Sequence, residues 1–192
     1  MAEASAAAQR GTRISYRAAT SAPRRAGARL AGGIVSGILL LAQPVGAMAQ
    51  EPTPIAIVDF EYVDTSGEVR DQTAEHSRRL QKLMLAIRND LARTGRYGVI
   101  PLPCRAAPCT IDNSNPSELL GDARRAGARL LLFGGIHKKS TLVQWARAQV
   151  VDVQANKVVY DRLFTFRGDN DEAWQRAESF IVRDLQAQEL IK

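Results

Sequence analysis

The chain has 192 residues, of which 45% are hydrophobic, so it is long enough for one domain with a buried core. Its net charge of +6 is concentrated at one end: residues 1–49 hold six arginines and one acidic residue, whereas residues 50–192 hold 20 basic and 19 acidic residues. A segment so near neutrality has no large field to attract a phosphate backbone, so we expect no nucleic-acid partner for it.

The first 49 residues have the three parts of an export signal. A basic stretch with Arg24 and Arg25 precedes an apolar run, and Pro44 then leads to small residues that end at Ala49. The run of about 12 residues is too short to span the hydrocarbon core of a bilayer. We therefore predict a signal peptide over 1–49, a linker over 50–54 and a periplasmic domain over 55–192 with no membrane span. An uncleaved anchor and export by the twin-arginine route are the alternatives.

The chain has two cysteines, Cys104 and Cys109, and a proline lies between them. Outside the cytoplasm neighbouring cysteines usually pair, and this separation allows the Cα distance that a disulfide needs. A redox-active or metal-binding pair is the alternative, although the spacing is not C-x-x-C and no histidine is close in sequence. We predict a disulfide that rigidifies a local loop.

Hydrophobic periodicity and turn residues predict eight elements. Apolar runs and alternation favour strands, and apolar spacings of three and four favour helices. Asn115 followed by proline is typical of a helix start, and Gly95 and Gly127 of helix ends. The predicted elements are strand 55–62, helix 71–94, strand 97–102, helix 116–127, strand 129–136, strand 141–153, strand 158–167 and a last helix that Gly168 and Asp169 open.

The order β-α-β-α-β-β-β-α predicts the fold class. Two crossover helices imply parallel, right-handed pairing of the first three strands, and the last two strands form an antiparallel hairpin. We expect a single α/β domain with a mixed sheet of about five strands and helices packed on it.

Several segments resemble the amino-terminal domain of the periplasmic protein TolB and its relatives. They are the strand that ends in Asp59 and Phe60, the strand 96–100, the step 126–128 before a strand that ends in two glycines, and the return from Asp152 to Val158. The resemblance covers nearly all of residues 55–190, and it implies a TolB-like layout of sheet and helices.

The chain also resembles an uncharacterised family of short secreted proteobacterial proteins, known as a domain of unknown function. The segments 135–140, 142–145 and 166–174 carry this resemblance. Some members are expected near genes for quinoprotein alcohol dehydrogenases, which is context and not mechanism. The resemblance supplies no catalytic residue.

Six residues are candidates for contact with a partner protein. A run of polar residues follows the two glycines at the end of the fifth predicted element, the strand 129–136. The glycines would let a partner approach the backbone closely. The alternative is a solvated hairpin whose lysines prevent edge pairing. A tryptophan and an arginine two positions apart share one face of the next strand, either as a contact surface or with the tryptophan in the core. The candidates are His137, Lys138, Lys139, Ser140, Trp145 and Arg147.

Three acidic residues, Asp169, Asp171 and Glu172, open the last helix. We interpret them as a helix cap, in which Asp169 and Glu172 form a capping box. A weak cation site is the alternative. We interpret Asp59 as a loop cap, and the alternative is an acid pair of Asp59 and Glu61 at the carboxyl ends of the parallel strands.

No nucleophile, metal-ligand or nucleotide-binding motif occurs in the sequence, and two histidines do not make an acid–base pair. We therefore expect no cofactor and no enzyme. The leading hypothesis is a periplasmic binding or assembly module that contacts an envelope protein. The alternative is a small-molecule or metal-binding accessory protein for a periplasmic, quinoprotein-type dehydrogenase. A hydrolase or oxidoreductase is the third hypothesis.

Overall fold

The computed structural model describes residues 51–105 and 107–191, so the predicted signal peptide lies outside the described residues. The elements in chain order are β1 (Thr53–Ile57), β2 (Glu61–Asp64), α1 (Thr73–Arg93), β3 (Tyr97–Ile100), α2 (Pro116–Arg125), β4 (Leu130–Lys138), β5 (Val143–Asp152), β6 (Lys157–Arg167) and α3 (Asp171–Ala187). Because β1 begins at Thr53, the end of the predicted linker is already part of the sheet.

The strands form one mixed sheet of six strands in the order β3-β1-β4-β5-β6, with β2 also paired to β4. β1 pairs in parallel with β3 and with the first part of β4, and β2 pairs in parallel with the last part of β4. β5 and β6 continue the sheet as an antiparallel hairpin. The predicted α/β class, with parallel pairing first and a hairpin later, is confirmed, and the number of strands is six.

The sixth strand arises because the predicted first strand is interrupted. Ile57 lies opposite Leu132, and Glu61 lies opposite Gly135. The three residues 58–60 therefore face only the two residues 133 and 134 of β4. An extra residue on one side is the geometry of a β-bulge. β1 and β2 therefore run along the same edge of β4, with Asp59 at the interruption between them.

The core lies on both faces of the sheet. α1 and α3 pack on one face, where Ile87, Leu91, Leu132 and Ile181 are among the fully buried side chains of the larger cluster. α2 packs on the other face in a smaller cluster, against Leu131 among others. The 3.6-residue period of each helix turns one apolar stripe towards the sheet.

The helix starts differ in how they are capped. Asn115 caps α2 through its side chain, as predicted, because it accepts hydrogen bonds from the backbone N–H groups of Ser117 and Glu118. The prediction that Asp169 caps α3 is wrong. Asn170 is the cap and accepts from the N–H of Ala173 at 2.8 Å. This one-residue shift frees the Asp169 carboxylate for contacts elsewhere.

Candidate functional site

The face of the sheet opposite α1 and α3 is left uncovered at the β5–β6 end. Strand alternation places His137, Trp145, Arg147 and Leu163 on this face, since His137 pairs with Trp145 and Arg147 with Leu163 across the sheet. Trp145 is 37% exposed and Leu163 is 59% exposed. We call the surface formed by His137, Lys139, Trp145, Arg147, Asp161 and Leu163 the open face.

Trp145 is the centre of the open face. The His137 ring meets it edge-on, with centroids 6.0 Å apart, and the Lys139 ammonium lies 5.1 Å from its centroid. The hydroxyl of Thr65 hydrogen-bonds Nε2 of His137 at 2.8 Å and so orients that ring. Trp145 is therefore a surface residue, as in the first alternative above, and is not part of the core. Lys139 makes a cation–π contact with its ring.

Arg147 adds a fixed charge beside the tryptophan. Its guanidinium donates two hydrogen bonds to Asp161, at 2.9 and 2.7 Å, and this pairing lowers the pKa of Asp161. A groove of about 270 Å³ adjoins the open face, where Ile111 and Phe133 contribute apolar walls. The surface thus combines a tryptophan, an oriented cation and a shallow apolar groove.

Two of the six predicted contact residues are not part of this face. Ser140 forms the hairpin turn, where its hydroxyl accepts from the N–H of Val143 at 3.2 Å. The prediction that Lys138 is a surface residue is wrong, because its side chain is completely buried. Strand alternation explains this: Lys138 points to the helix-covered face, whereas His137 points to the open one.

The Lys138 ammonium is held by carboxylates from two loops. It contacts Glu68, and it lies 2.7 Å from Oδ2 of Asp169 and 3.9 Å from Oδ2 of Asp64. Burial opposes the charge on Lys138, but the hydrogen bonds to Asp169 and Glu68 outweigh that cost and raise its pKa. The loop after β2 is thereby tied to the start of α3.

Asp169 is the centre of this buried ionic cluster. Its carboxylate accepts hydrogen bonds from Nε2 of His76 at 2.8 Å, Nη1 of Arg79 at 3.1 Å and Nε2 of Gln144 at 3.3 Å. It also binds the ammonium of Lys138. Burial disfavours the charge, but the bonds from Lys138 and His76 hold the pKa of Asp169 below its usual value. Three elements, α1, β4 and β5, are thus joined to the loop before α3 through one carboxylate, which is a structural role.

The other two acidic residues at the start of α3 also form ion pairs with basic side chains of the protein. Asp171 binds Arg79 at 3.1 Å and Lys82 at 2.7 Å, and Glu172 pairs with Arg176 one turn further along α3. Since Asp169 and Asp171 are bound by cations of α1, the weak cation site is not assembled there. Over residues 51–105 and 107–191, no group of three or more His, Cys, Asp or Glu is placed to hold a metal ion.

The predicted disulfide is present and closes a loop beside the sheet. Cys104 and Cys109 are bonded, with Cα atoms 5.7 Å apart. The Asp59 carboxylate accepts from the N–H of Cys109 at 3.0 Å and from Arg88 at 2.7 Å, and Glu61 accepts from the N–H of Asp112 at 2.8 Å. Asp59 and Glu61 therefore anchor this loop, and they do not form an acid pair.

Sequence reasoning missed the buried ionic cluster. Its members lie on α1, β4, β5 and the loops before α1 and α3, so no short motif contains them. The signal that could have found it was the alternation along β4, which puts Lys138 on the same side as the buried Ile136. Among the described residues, no helix has the length and apolar character required to cross a membrane.

A comparison with known protein families assigns the chain. The family model DUF3280, described as "Protein of unknown function (DUF2380)", matches residues 53–185. The chain belongs to the DUF3280 family. This confirms the predicted membership in an uncharacterised family. No curated protein matches the chain.

Several solved structures are similar to this DUF3280 chain. The hypothetical protein CT253 from Chlamydia trachomatis matches with a TM-score of 0.50 and 14% identity, over 70% of this chain and 96% of that one. TolB from Acinetobacter baumannii matches with a TM-score of 0.42 and 17% identity, over 70% of this chain and 27% of TolB. The LpoB C-terminal domain from Salmonella enterica matches with a TM-score of 0.39 and 14% identity, over 60% of this chain and 82% of that domain.

Proposed function

We propose that this protein is a non-enzymatic module of the cell envelope that contacts a partner protein through the open face. The observation that carries the proposal is the exposure of Trp145 and Leu163, 37% and 59%, on a sheet face that no described helix covers at this end. Tryptophan and arginine are the residues that most often dominate protein interfaces. Trp145 and Arg147 stand two positions apart on β5, so both face the same partner.

The charges around Trp145 favour a particular partner chemistry. Lys139 lies over the ring and is exposed, and its ammonium has no carboxylate partner among the described residues within ion-pair distance. The Arg147 charge is already matched by Asp161. An apolar surface with an acidic residue at its edge therefore complements the open face, with the acid meeting Lys139.

Substitution on the open face tests the proposal. In co-purification from the native envelope fraction, we expect the double variant Trp145→Ala/Leu163→Ala to lose its partner by roughly tenfold or more. Leu85→Ala is the matched control, because Leu85 is equally exposed, at 60%, but lies on α1. The same partner recovered equally with the double variant, or lost equally with Leu85→Ala, would contradict the open face as the contact surface.

The cellular compartment forms the second part of the proposal. Disulfides persist in oxidising compartments, and the Cys104–Cys109 bond agrees with export of the chain by the predicted signal peptide. Mass spectrometry of protein isolated from its native envelope should find an N-terminus near Gln50 and no free thiol. Recovery from the cytosol with a start at Met1 and two free thiols would overturn the assignment.

A further inference from the structure

β6 is an edge strand of the sheet, and one of its sides is unpaired. The sheet ends at β6, and no residue in 51–105 or 107–191 pairs with the outer side of this strand. β6 has 11 residues and is the longest of the described strands, whereas β3 at the opposite edge has 4. A strand edge with free backbone N–H and C=O groups is a template for pairing with another strand. A further strand would therefore be added to this sheet at β6.

The hydrogen-bond pattern shows which residues of β6 turn their backbone groups outward. The N–H of Gly168 donates to the carbonyl of Leu142, and the carbonyl of Val143 accepts from the N–H of Lys139. Val143 therefore bonds towards β4, and its pairing partner Arg167 turns its own backbone groups away from β5. Inward and outward bonding alternate along an antiparallel strand. The residues with outward backbone groups are therefore Asp161, Leu163, Thr165 and Arg167.

The middle of this edge lacks the features that usually prevent strand addition. Natural sheets protect an exposed edge with charged side chains, prolines or bulges. Residues 163–166 have the sequence Leu-Phe-Thr-Phe, which contains no charge and no proline. The irregularity in the pairing of β5 and β6 lies between Val150 and Val151, near the other end of β6. The edge is therefore open over residues 161–167.

Aromatic side chains line the same edge on the face that α3 covers. Phe164 is half-buried, Phe180 of α3 is 51% exposed, and their rings meet edge-on with centroids 5.3 Å apart. A groove of about 400 Å³ lies beside them, and Phe166 and Ala177 contribute to its walls. Aromatic residues are enriched in protein interfaces relative to other surfaces. The open edge and the exposed aromatic surface therefore form one continuous candidate interface.

We infer that two copies of this chain pair through β6, antiparallel and about a two-fold axis at Phe164. A two-fold contact joins the same surface of both copies, so the strand must complement itself. With Phe164 opposite Phe164 of the second copy, Leu163 faces Thr165 and Asp161 faces Arg167 of that copy. Every outward backbone group over 161–167 then meets another outward group, and opposite charges meet at both ends.

The charges select this register over its neighbours. A shift of two residues in one direction would place Asp161 opposite Thr165 and remove both ion pairs. The opposite shift would place Arg167 opposite Leu163 and would also shorten the paired segment. Asp161 already accepts from Arg147 at 2.7 Å, but a carboxylate has enough lone pairs for a second guanidinium. The register with Phe164 on the axis is therefore the one in which β6 is most complementary to itself.

Sedimentation equilibrium of the protein purified from its native envelope tests the dimer. We expect twice the protomer mass at roughly 100 µM and dissociation on dilution, as is usual for a small interface. Thr165→Pro should raise the dissociation constant by roughly tenfold or more, because it removes an outward N–H that β5 does not use. Thr165→Val is the matched control, since it keeps the N–H and the β-branched shape, and it should leave the dimer intact.

Charge reversal gives an independent test of the register. Arg167→Asp sets two carboxylates opposite each other at both ends of the paired segment, so it should raise the dissociation constant by roughly tenfold or more. Lys157→Asp is the matched control, because Lys157 is exposed on the same strand but lies outside 161–167. It should leave the dissociation constant nearly unchanged. A cooperative unfolding transition checks that each variant is folded, and Arg167→Asp decides the matter if Thr165→Pro is not.

Amide hydrogen exchange distinguishes pairing through β6 from a dimer formed elsewhere. The N–H groups of Leu163 and Thr165 should exchange slowly in the dimer and fast in the dilute monomer. Those of Phe164 and Phe166 face β5 and should exchange slowly in both. The inference is overturned by a monomer at every concentration, by a dimer that Arg167→Asp leaves intact, or by fast exchange of Leu163 and Thr165 in the dimer. The dimer does not require a partner on the open face.

Discussion

At the scale of single residues, Asp169 carries the most concentrated set of contacts in the described structure. His76, Arg79, Lys138 and Gln144 all donate to it, and its side chain is 11% exposed. A buried ion pair is weak evidence for net stability, because removing charges from water is costly. Removing one partner is different, since the remaining charges stay buried without compensation.

We therefore expect Asp169→Asn to lower the free energy of unfolding by about 3 kcal/mol, measured by urea denaturation at neutral pH. The matched control is Asp161→Asn, because Asp161 forms an exposed pair with Arg147 and its loss should cost about 1 kcal/mol or less. Equal losses of unfolding free energy in the two variants would contradict the prediction, because removal of a buried charge would then cost no more than removal of an exposed one.

The pH dependence of the same variant has a defined sign. The pKa of Asp169 is lower in the folded protein than in the unfolded chain, so its contribution is present above the unfolded value. It is lost as the pH falls below about 4 towards the folded value. The free energy of unfolding of Asp169→Asn should therefore fall less steeply than that of the wild type over this range. Parallel curves would contradict the assignment.

At the scale of elements, the segment between β3 and α2 has little regular structure and depends on a few anchors. The Cys104–Cys109 bond closes it, and the carboxylates of Asp59 and Glu61 hold its backbone against the sheet. Ile111 and both cysteines pack on the smaller core cluster. The interruption between β1 and β2 is what places these two acids beside the loop.

Replacement of both cysteines by serine should lower the free energy of unfolding by about 2 kcal/mol, as expected for so short a closed loop. Hydrogen exchange should show faster exchange in residues 103–114 and unchanged protection in β4 and β5, because the central strands do not depend on the loop. A loss of protection throughout the sheet would mean that the disulfide supports the fold as a whole.

At the scale of the molecule, the sheet separates two surfaces with different chemistry. α1 and α3 cover one face and form a cleft lined in part by Glu178 between them, whereas the other face is covered by α2 and the disulfide loop at one end and leaves Trp145 exposed at the other.

Local sequence pattern determined the elements of this protein and much of the open face. Period-two alternation put Trp145 and Arg147 on one face, helix periodicity and Asn115 located the helices, and the spacing of the cysteines predicted their bond. These features depend on neighbours within a few residues, so a single sequence contains them. Helix periodicity does not decide how deeply a residue at the edge of the apolar stripe is buried: Phe180 on α3 is 51% exposed.

Only the tertiary structure decided which side chains meet across the fold. The Asp169 carboxylate joins residues 93 and 31 positions away in His76 and Lys138, and the cleft joins two helices that are far apart in sequence. Such contacts depend on which face of each element is turned inward and on strand register, which a local pattern does not encode. From the sequence, a charged residue such as Lys138 is expected to be exposed to solvent. Its burial depends on charged partners that the tertiary structure brings from elsewhere in the chain, so a local pattern cannot predict it.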